Sequence, residues 1–404
     1  MAVIKDTNAP ISPKAPVLTT RQKEIKTGVI TLAHIFNDSY PNTYPVLLPL
    51  LMSQMGFTTA AAGLISTVSA LSTQLLQPVM GFWADRTGGR KFVVGGLLIG
   101  SIVIPLGLGY TPSYPLLLLA LLIGGLGNAA FHPNAAALVG EMTGKRKGFG
   151  MSLFIVGGNL GRALAPILAS TAILLGGGRH GLILLAIPGL IMALVMTWTM
   201  SPPPAPKPRE EKILTPEFIR GLRHGRPLLG VVGLRSMATM STLTLVPILW
   251  ESLGYSMGTY ATLLSVLFIA GSIGNVAGGF LSDIFGPKPV LIGSAVLSSI
   301  FLFAFIGSDN MVMAFIYIAL LGITLYSSAP VTMVFSQSLF PKNIGMASGF
   351  AMGIGGTLGS LGVALIGLVA DFSSPKLGLI AVSLILLLTV PLALMLKKNP
   401  GASD

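Results

Sequence analysis

Apolar runs long enough to cross a bilayer fill most of the chain, and short polar breaks separate them. A transmembrane helix needs about 20 predominantly apolar residues. Runs of that kind fall at 28–52, 60–83, 92–110, 115–139, 149–175 and 181–200. They resume at 228–250, 259–281, 289–306, 311–337, 344–370 and 377–396. The break between the two sets, residues 201–226, contains Pro202-Pro203-Pro204-Ala205-Pro206 and six Lys/Arg, the composition of a solvated linker. The pattern predicts an all-α membrane protein of twelve transmembrane helices in two pseudo-symmetric six-helix bundles. A tail at 1–27 precedes an N-terminal bundle at 28–200; the linker at 201–226 leads to a C-terminal bundle at 227–396 and a tail at 397–404.

Composition adds a class and an orientation. Charged residues make up 9% of the chain and hydrophobic ones 52%, whereas a soluble domain carries roughly 25% charged residues. The absence of cysteine excludes disulfides, thiolate metal sites and a thiol nucleophile. The proline-bearing, basic stretch 1–27 has no apolar core of a cleavable signal and reads as a disordered tail. If the two tails, the linker and the loops after even-numbered spans share one side, that side holds 21 of the 25 Lys/Arg and the other holds two, Arg179 and Lys376. Positive charge marks the cytoplasmic face, so both termini are expected inside, in a cell membrane. The net charge of +12 is thus mostly topology, and no nucleic-acid partner is implied.

The halves are related in sequence. Gly81-Phe82-Trp83-Ala84-Asp85-Arg86-Thr87-Gly88-Gly89-Arg90-Lys91 ends the second span, and Gly279-Phe280-Leu281-Ser282-Asp283-Ile284-Phe285-Gly286-Pro287-Lys288 ends the eighth, 198 residues later. Phe131-His132-Pro133 matches Ser328-Ala329-Pro330, and Gly158-Asn159-Leu160-Gly161 matches Gly356-Thr357-Leu358-Gly359. Glycine and proline recur, while His132, Asn159 and Arg162 become Ala329, Thr357 and Ser360. Scaffold is shared and polar chemistry is concentrated in the first half, as in transporters built from structural repeats.

The 6+6 arrangement, the basic linker and the Gly-x-x-x-Asp-Arg-x-Gly-x-Arg-Lys stretch together resemble the major facilitator superfamily. His34-x-x-Asn37-Asp38, Phe131-His132-Pro133 and Val156-Gly157-Gly158-Asn159-x-Gly161 resemble its fosmidomycin-resistance type of drug exporter. The chain departs from the pattern at Gly89, at Ile284 and at Arg162, where a small residue is expected. The resemblance implies alternating access between two bundles. It also implies a gate in which Asp85 faces the start of the eleventh span and Asp283 the fifth, with Arg86 and Arg90 beside them.

Few residues can carry chemistry inside the spans. Asp38 lies near the middle of the first, and intramembrane acids usually face a cavity or mark a proton path. His34 is one turn earlier on the same face, with Asn37, Pro41 and Pro45 continuing the stripe; the prolines should bend the helix and free carbonyls. Asp38 is then either a proton carrier modulated by His34 or the permanent partner of an arginine. Arg162 and Arg235 cannot discharge by losing a proton. With Asp38 ionised, two cations face one anion, and guanidinium grips carboxylate, phosphate and phosphonate in paired hydrogen bonds. They either bind an organic anion, with Asn159, Asn37 and Thr239 nearby, or Arg162 pairs with Asp38 while Arg235 snorkels to the interface. His132 and Asn128 share a face of the fourth span; the histidine either titrates or bonds a carbonyl freed by Pro133. Tyr44 is a candidate for the pocket wall. Four scattered histidines suggest no metal, and no phosphate-binding loop points to a nucleotide, so no cofactor is expected. The reading is a proton-coupled secondary transporter, monomeric, exporting a small organic anion or amphiphilic drug; the alternative is an importer or exchanger of a metabolite anion without obligatory protons. An enzyme would need a nucleophile–base cluster that the sequence lacks.

Overall fold

The computed structural model describes residues 19–87, 89–143, 147–200, 225–339, 353 and 355–396. Residues 1–18, the tail at 397–404 and nearly all of the linker lie outside that set, as does much of 340–355, where the eleventh span was expected to begin. Residues 20–27, expected in a disordered tail, instead form the first two turns of a helix that Thr19 caps. Every regular element among the described residues is helical. The first span comprises α1 (Thr20–Ser39), a 3-10 turn (Tyr40–Asn42) and α2 (Tyr44–Met55). The second is α3 (Thr59–Ala70), a π-helical turn (Leu71–Leu75) and α4 (Gln77–Thr87). Then come α5 (Gly89–Tyr110), α6 (Tyr114–Thr143), α7 (Lys147–Leu175) and α8 (Ala186–Thr199). The second half holds α9 (Arg226–Ser252), α10 (Met257–Phe285) and α11 (Pro287–Ile306). Its tenth span divides into α12 (Met311–Tyr326) and α13 (Ser328–Leu339), followed by α14 (Gly356–Phe372) and α15 (Pro375–Leu394).

Among the described residues ten helices are long and apolar enough to cross a membrane, and Gly356–Phe372 is a shorter apolar one. The first span is not in that set because it breaks in two, as its prolines lead one to expect. Pro41 has no N–H, so the carbonyl of Asn37 four residues earlier loses its helical donor. Asn128 of α6 supplies a replacement, its Nδ2 donating to Asn37 O at 3.3 Å. Asn42 turns its own amide back onto Asp38 O at 2.7 Å.

The sequence repeat has a packing cause. A Cβ on Gly81 would meet Pro133 at 3.6 Å, and one on Gly279 would meet Pro330 at 3.9 Å, so each motif glycine packs on the proline that recurs with it. Arg90 at the start of α5 donates to Thr197 O in the last turn of α8. Its counterpart Lys288 at the start of α11 donates to Leu394 O at the end of α15, at 3.2 Å. A cation on the last carbonyls of a helix meets the negative end of its dipole. The basic residue of the repeated motif therefore closes the base of its own bundle.

These residues mark what we term the basic end of the molecule. The halves meet along α3 with α14 and along α7 with α10. Towards the far end, hydrogen bonds join them. Thr67 Oγ1 donates to Ser360 O at 2.7 Å, and Ser66 Oγ and Thr244 Oγ1 share a bond of 2.9 Å. At the tip, Asp371 near the end of α14 accepts from the Thr59 and Ala60 N–H groups at 2.7 and 2.9 Å. One half thereby caps a helix N-terminus of the other.

Candidate functional site

Asp38 is the hub of a cluster drawn from three helices. His132 Nε2 on α6 lies 2.8 Å from Asp38 Oδ1, His34 Nε2 lies 3.4 Å from the same oxygen, and Arg162 Nε on α7 lies 3.7 Å from Oδ2. Asn37 Nδ2 also donates to Oδ1, at 3.3 Å. Arg162 is oriented by its own helix, with Nη2 donating to Asn159 Oδ1 at 2.7 Å. These are the ion pairs found among the described residues. Asp38 is therefore the partner of an arginine and of two histidines at once. His132 spends its ring nitrogen on Asp38, not on a carbonyl freed by Pro133.

The tautomer of His34 follows from its surroundings. Its Nδ1 is 2.7 Å from Phe154 O on α7, and only a protonated nitrogen can bond a carbonyl. The ring also stacks on Phe154, with centroids 3.8 Å apart and planes 16° apart. In neutral His34 the Nε2 atom then carries a lone pair, buried and without a hydrogen-bond partner, facing a carboxylate oxygen. That contact is repulsive in a low dielectric and becomes attractive when Nε2 takes a proton. Phe154, which the sequence did not single out, sets this arrangement through its backbone and its ring. A carbonyl partner leaves no signature in residue type.

Glycine makes the close approach possible. A Cβ on Gly158 would lie 2.6 Å from His34 Cε1, 2.7 Å from Nε2 and 2.8 Å from Asp38 Oδ2; one on Gly161 would run into Ile35 O. The glycine-rich stretch of the fifth span is thus the bed on which the polar face of α1 lies. Gly158→Ala should lower thermal stability by about 1–3 kcal/mol, the usual cost of overpacking, and push His34 and Asp38 apart. Gly140 on α6 has nothing within 4 Å of a built Cβ, so Gly140→Ala serves as the control. Equal melting temperatures and equal pH-driven transport in the two variants would remove this role from Gly158.

The cluster is partly open. The side chains of Arg162 and His132 are 36% and 24% exposed, against 8% for Asp38 and 5% for His34. Tyr326 on α12, in the other half, lies within electrostatic reach of Arg162. Asp38 with Arg162 sums to zero charge while both histidines are neutral, and each proton taken up adds one positive charge. His34, Asp38 and His132 each present one donor atom, all within 4.8 Å, a set that a divalent cation could use. One carboxylate already shared with an arginine leaves a dication poorly neutralised.

Other expected site residues have different work. Asn128 is spent on the Asn37 carbonyl. Tyr44 is 4% exposed; its hydroxyl donates to Ser66 Oγ at 3.0 Å, and Ser66 bonds Thr244, so Tyr44 belongs to a chain joining the halves instead of a pocket wall. Thr239 returns its hydroxyl to Arg235 O at 2.9 Å. Arg235 does not snorkel: it is 4% exposed, and Nη2 donates to Thr324 O and Leu325 O at 3.1 and 2.8 Å. Of the expected gate, Asp283 is exposed near the end of α10 and Arg90 caps α8, while the side chains of Asp85 and Arg86 lie outside the described set.

Comparison with known proteins gives a consistent family. A profile of the Major Facilitator Superfamily matches residues 29–247 and 228–404. An uncharacterised MFS-type transporter, YfnC, of Bacillus subtilis is 28% identical over 376 residues, covering 88% of each chain. The fosmidomycin resistance protein of Escherichia coli is 28% identical over 371 residues, covering 87% of each. Multidrug resistance protein MdtG of Salmonella typhi is 26% identical over 272 residues, covering 63% of this chain and 66% of that one. Among solved structures, a bacterial homologue of the human lysosomal transporter Spinster, inward-facing and unoccupied, superposes with a TM-score of 0.78 at 17% identity, covering 93% of this chain and 97% of the other.

Proposed function

The chain belongs to the major facilitator superfamily, and we propose that within it the protein is a proton-coupled secondary transporter exporting a small organic anion or amphiphilic compound by alternating access. It is a membrane transporter and not an enzyme. The observation that carries the proposal is a single intramembrane carboxylate shared by two histidines and an arginine. Such a site can take up one proton, on His34 Nε2 or on Asp38, while His132 stays hydrogen-bonded to the carboxyl group, which is what a coupling site requires. Asp38 carries the proton, His34 and His132 exchange it, and Arg162 with Asn159 and Asn37 faces the transported molecule. Export is supported by the names of two relatives, fosmidomycin resistance protein and multidrug resistance protein MdtG. The basic end is assigned to the cytoplasm, and the unit of function to the monomer.

The sign of coupling depends on the substrate. Arg162 is held by ionised Asp38; a proton on Asp38 releases it for an anion, so proton and anion bind together. A cationic group would compete with the proton instead. For anions this contact favours the inward direction of the second reading, an importer of a metabolite anion, but with the proton as its companion and not without obligatory protons. An anion leaving the cell needs no proton, because an inside-negative potential drives it outward by about 2.3 kcal/mol per charge per 100 mV.

Charge selectivity tests the site directly. Arg162→Ala should cost carboxylates and phosphonates at least about tenfold more affinity than uncharged esters of the same size, and Arg162→Lys should cost less than Arg162→Ala. Calorimetry on monodisperse protein would make the comparison. Tightest binding by a neutral or cationic compound, retained in the alanine variant, would leave Arg162 as a structural partner of Asp38 only.

A further inference from the structure

Arg235 poses a separate problem of charge balance. It is the tenth residue of α9, in the interior of the C-terminal half. Its Nη2 group is spent on two carbonyls, and Nε and Nη1 are buried without a hydrogen-bond partner among the described residues. A guanidinium cannot shed its proton to relieve this. The acids of 226–396 are Glu251, Asp283, Asp309 and Asp371, and each stands at or beyond a helix end. Asp371 is already committed to the N-terminus of α3. No carboxylate of the described residues lies within ion-pair distance of Arg235.

The carbonyls it does reach are those of a broken helix. α12 stops at Tyr326, and Pro330 of α13 has no N–H for the Tyr326 carbonyl. Thr324 O and Leu325 O also accept from the hydroxyls of Ser327 and Ser328, at 2.8 and 3.3 Å. These partial negative charges orient the guanidinium without neutralising it, since a helix end amounts to about half a charge.

We propose that Arg235, positioned by the broken end of α12, is an anion site of the C-terminal half, separate from the Asp38 cluster. Its ligand is a compact monovalent anion, either a halide from solution or an acidic group of the transported molecule. Both supply what the chain lacks at this point: a full negative charge that accepts hydrogen bonds from Nε and Nη1.

The test uses purified full-length protein in detergent, with thermal unfolding followed at constant ionic strength in sodium gluconate. Sodium chloride, sodium bromide, sodium acetate and sodium methylphosphonate are titrated in turn. A saturable rise in Tm of about 3–5 °C is expected, with the halides if solution is the source and with only acetate or methylphosphonate if the substrate is. Arg235→Gln should lose the rise, and Lys288→Gln, which removes a basic residue elsewhere, should keep it. Should Arg235→Gln fail to fold, equilibrium dialysis of wild type with radioactive chloride or methylphosphonate should find one bound anion per chain that acetate displaces. No saturable effect from any of the four anions, no bound anion in dialysis, or an effect that survives in Arg235→Gln, overturns the proposal.

Discussion

Asp38→Asn should abolish accumulation driven by a pH gradient while leaving exchange of substrate between equilibrated compartments. Asparagine keeps the size of the side chain and can accept the hydrogen bond from His132, so the packing of α1 on α6 and α7 should survive. It cannot carry a charge, and His34 Nε2 would face a neutral amide in place of the carboxylate oxygen 3.4 Å away. The second consequence concerns Arg162, whose Nε would lose its partner at 3.7 Å. Pairs at exposed sites are worth about 0–1 kcal/mol, and breaking a fully buried one costs about 3–5 kcal/mol. With Arg162 36% exposed, the pair falls between these limits. Anion affinity in Asp38→Asn should then rise by about tenfold, or about 1.4 kcal/mol. Transport into proteoliposomes with and without a pH step, paired with calorimetry at one pH, separates the two effects. Unchanged pH-driven accumulation would remove Asp38 from coupling. Lost exchange in a well-folded variant would make it a structural residue.

How much of this was readable in the chain depends on the range of the contact. His34 and Asp38 are one helical turn apart, so their meeting follows from helix geometry alone. The partners His132 and Arg162 come from other spans, and periodicity says which face of a helix is polar without saying which faces meet. For Asp38 the sequence offered two alternatives, a proton carrier or the partner of an arginine; the geometry supplies both sets of neighbours around one carboxylate. Asn128 and Tyr44 looked like pocket residues for the same reason: a polar side chain in a span signals a need for a partner, and the partner can be a freed carbonyl or a serine of the next helix. The glycines were legible as repeated scaffold. Their purpose at Gly158, room for an imidazole and a carboxylate, needed coordinates. Asp371 drew no notice in the sequence because it sits at the end of an apolar run, where acids are common.

That residue and its neighbours lead to the other large effect, at the far end. Closure there relies on backbone contact between α3 and α14. A Cβ on Gly63 would lie 2.7 Å from Ala364 Cα, and one on Gly367 would lie 2.5 Å from Thr59 O and 2.6 Å from Ala60 Cα. The obstacles are backbone atoms, which cannot rotate away as a flexible side chain could. Gly63→Leu or Gly367→Leu therefore leaves the helices no way to stay in contact, and the halves must part at this end. Asp371→Asn is a milder change. It removes a charge from a helix N-terminus, worth about 0.3–1 kcal/mol, and keeps an oxygen that can still accept. The leucine variants should thus lose transport almost completely, and Asp371→Asn should keep most of it with a partial shift. The chain has no cysteine, so spin labels on single cysteines placed at Phe57 and Phe372 report the separation directly. The distance should grow most in the two leucine variants and least in Asp371→Asn. Leucine variants that remain monodisperse, show the wild-type distance and still transport would mean that α3 and α14 do not form the closing contact.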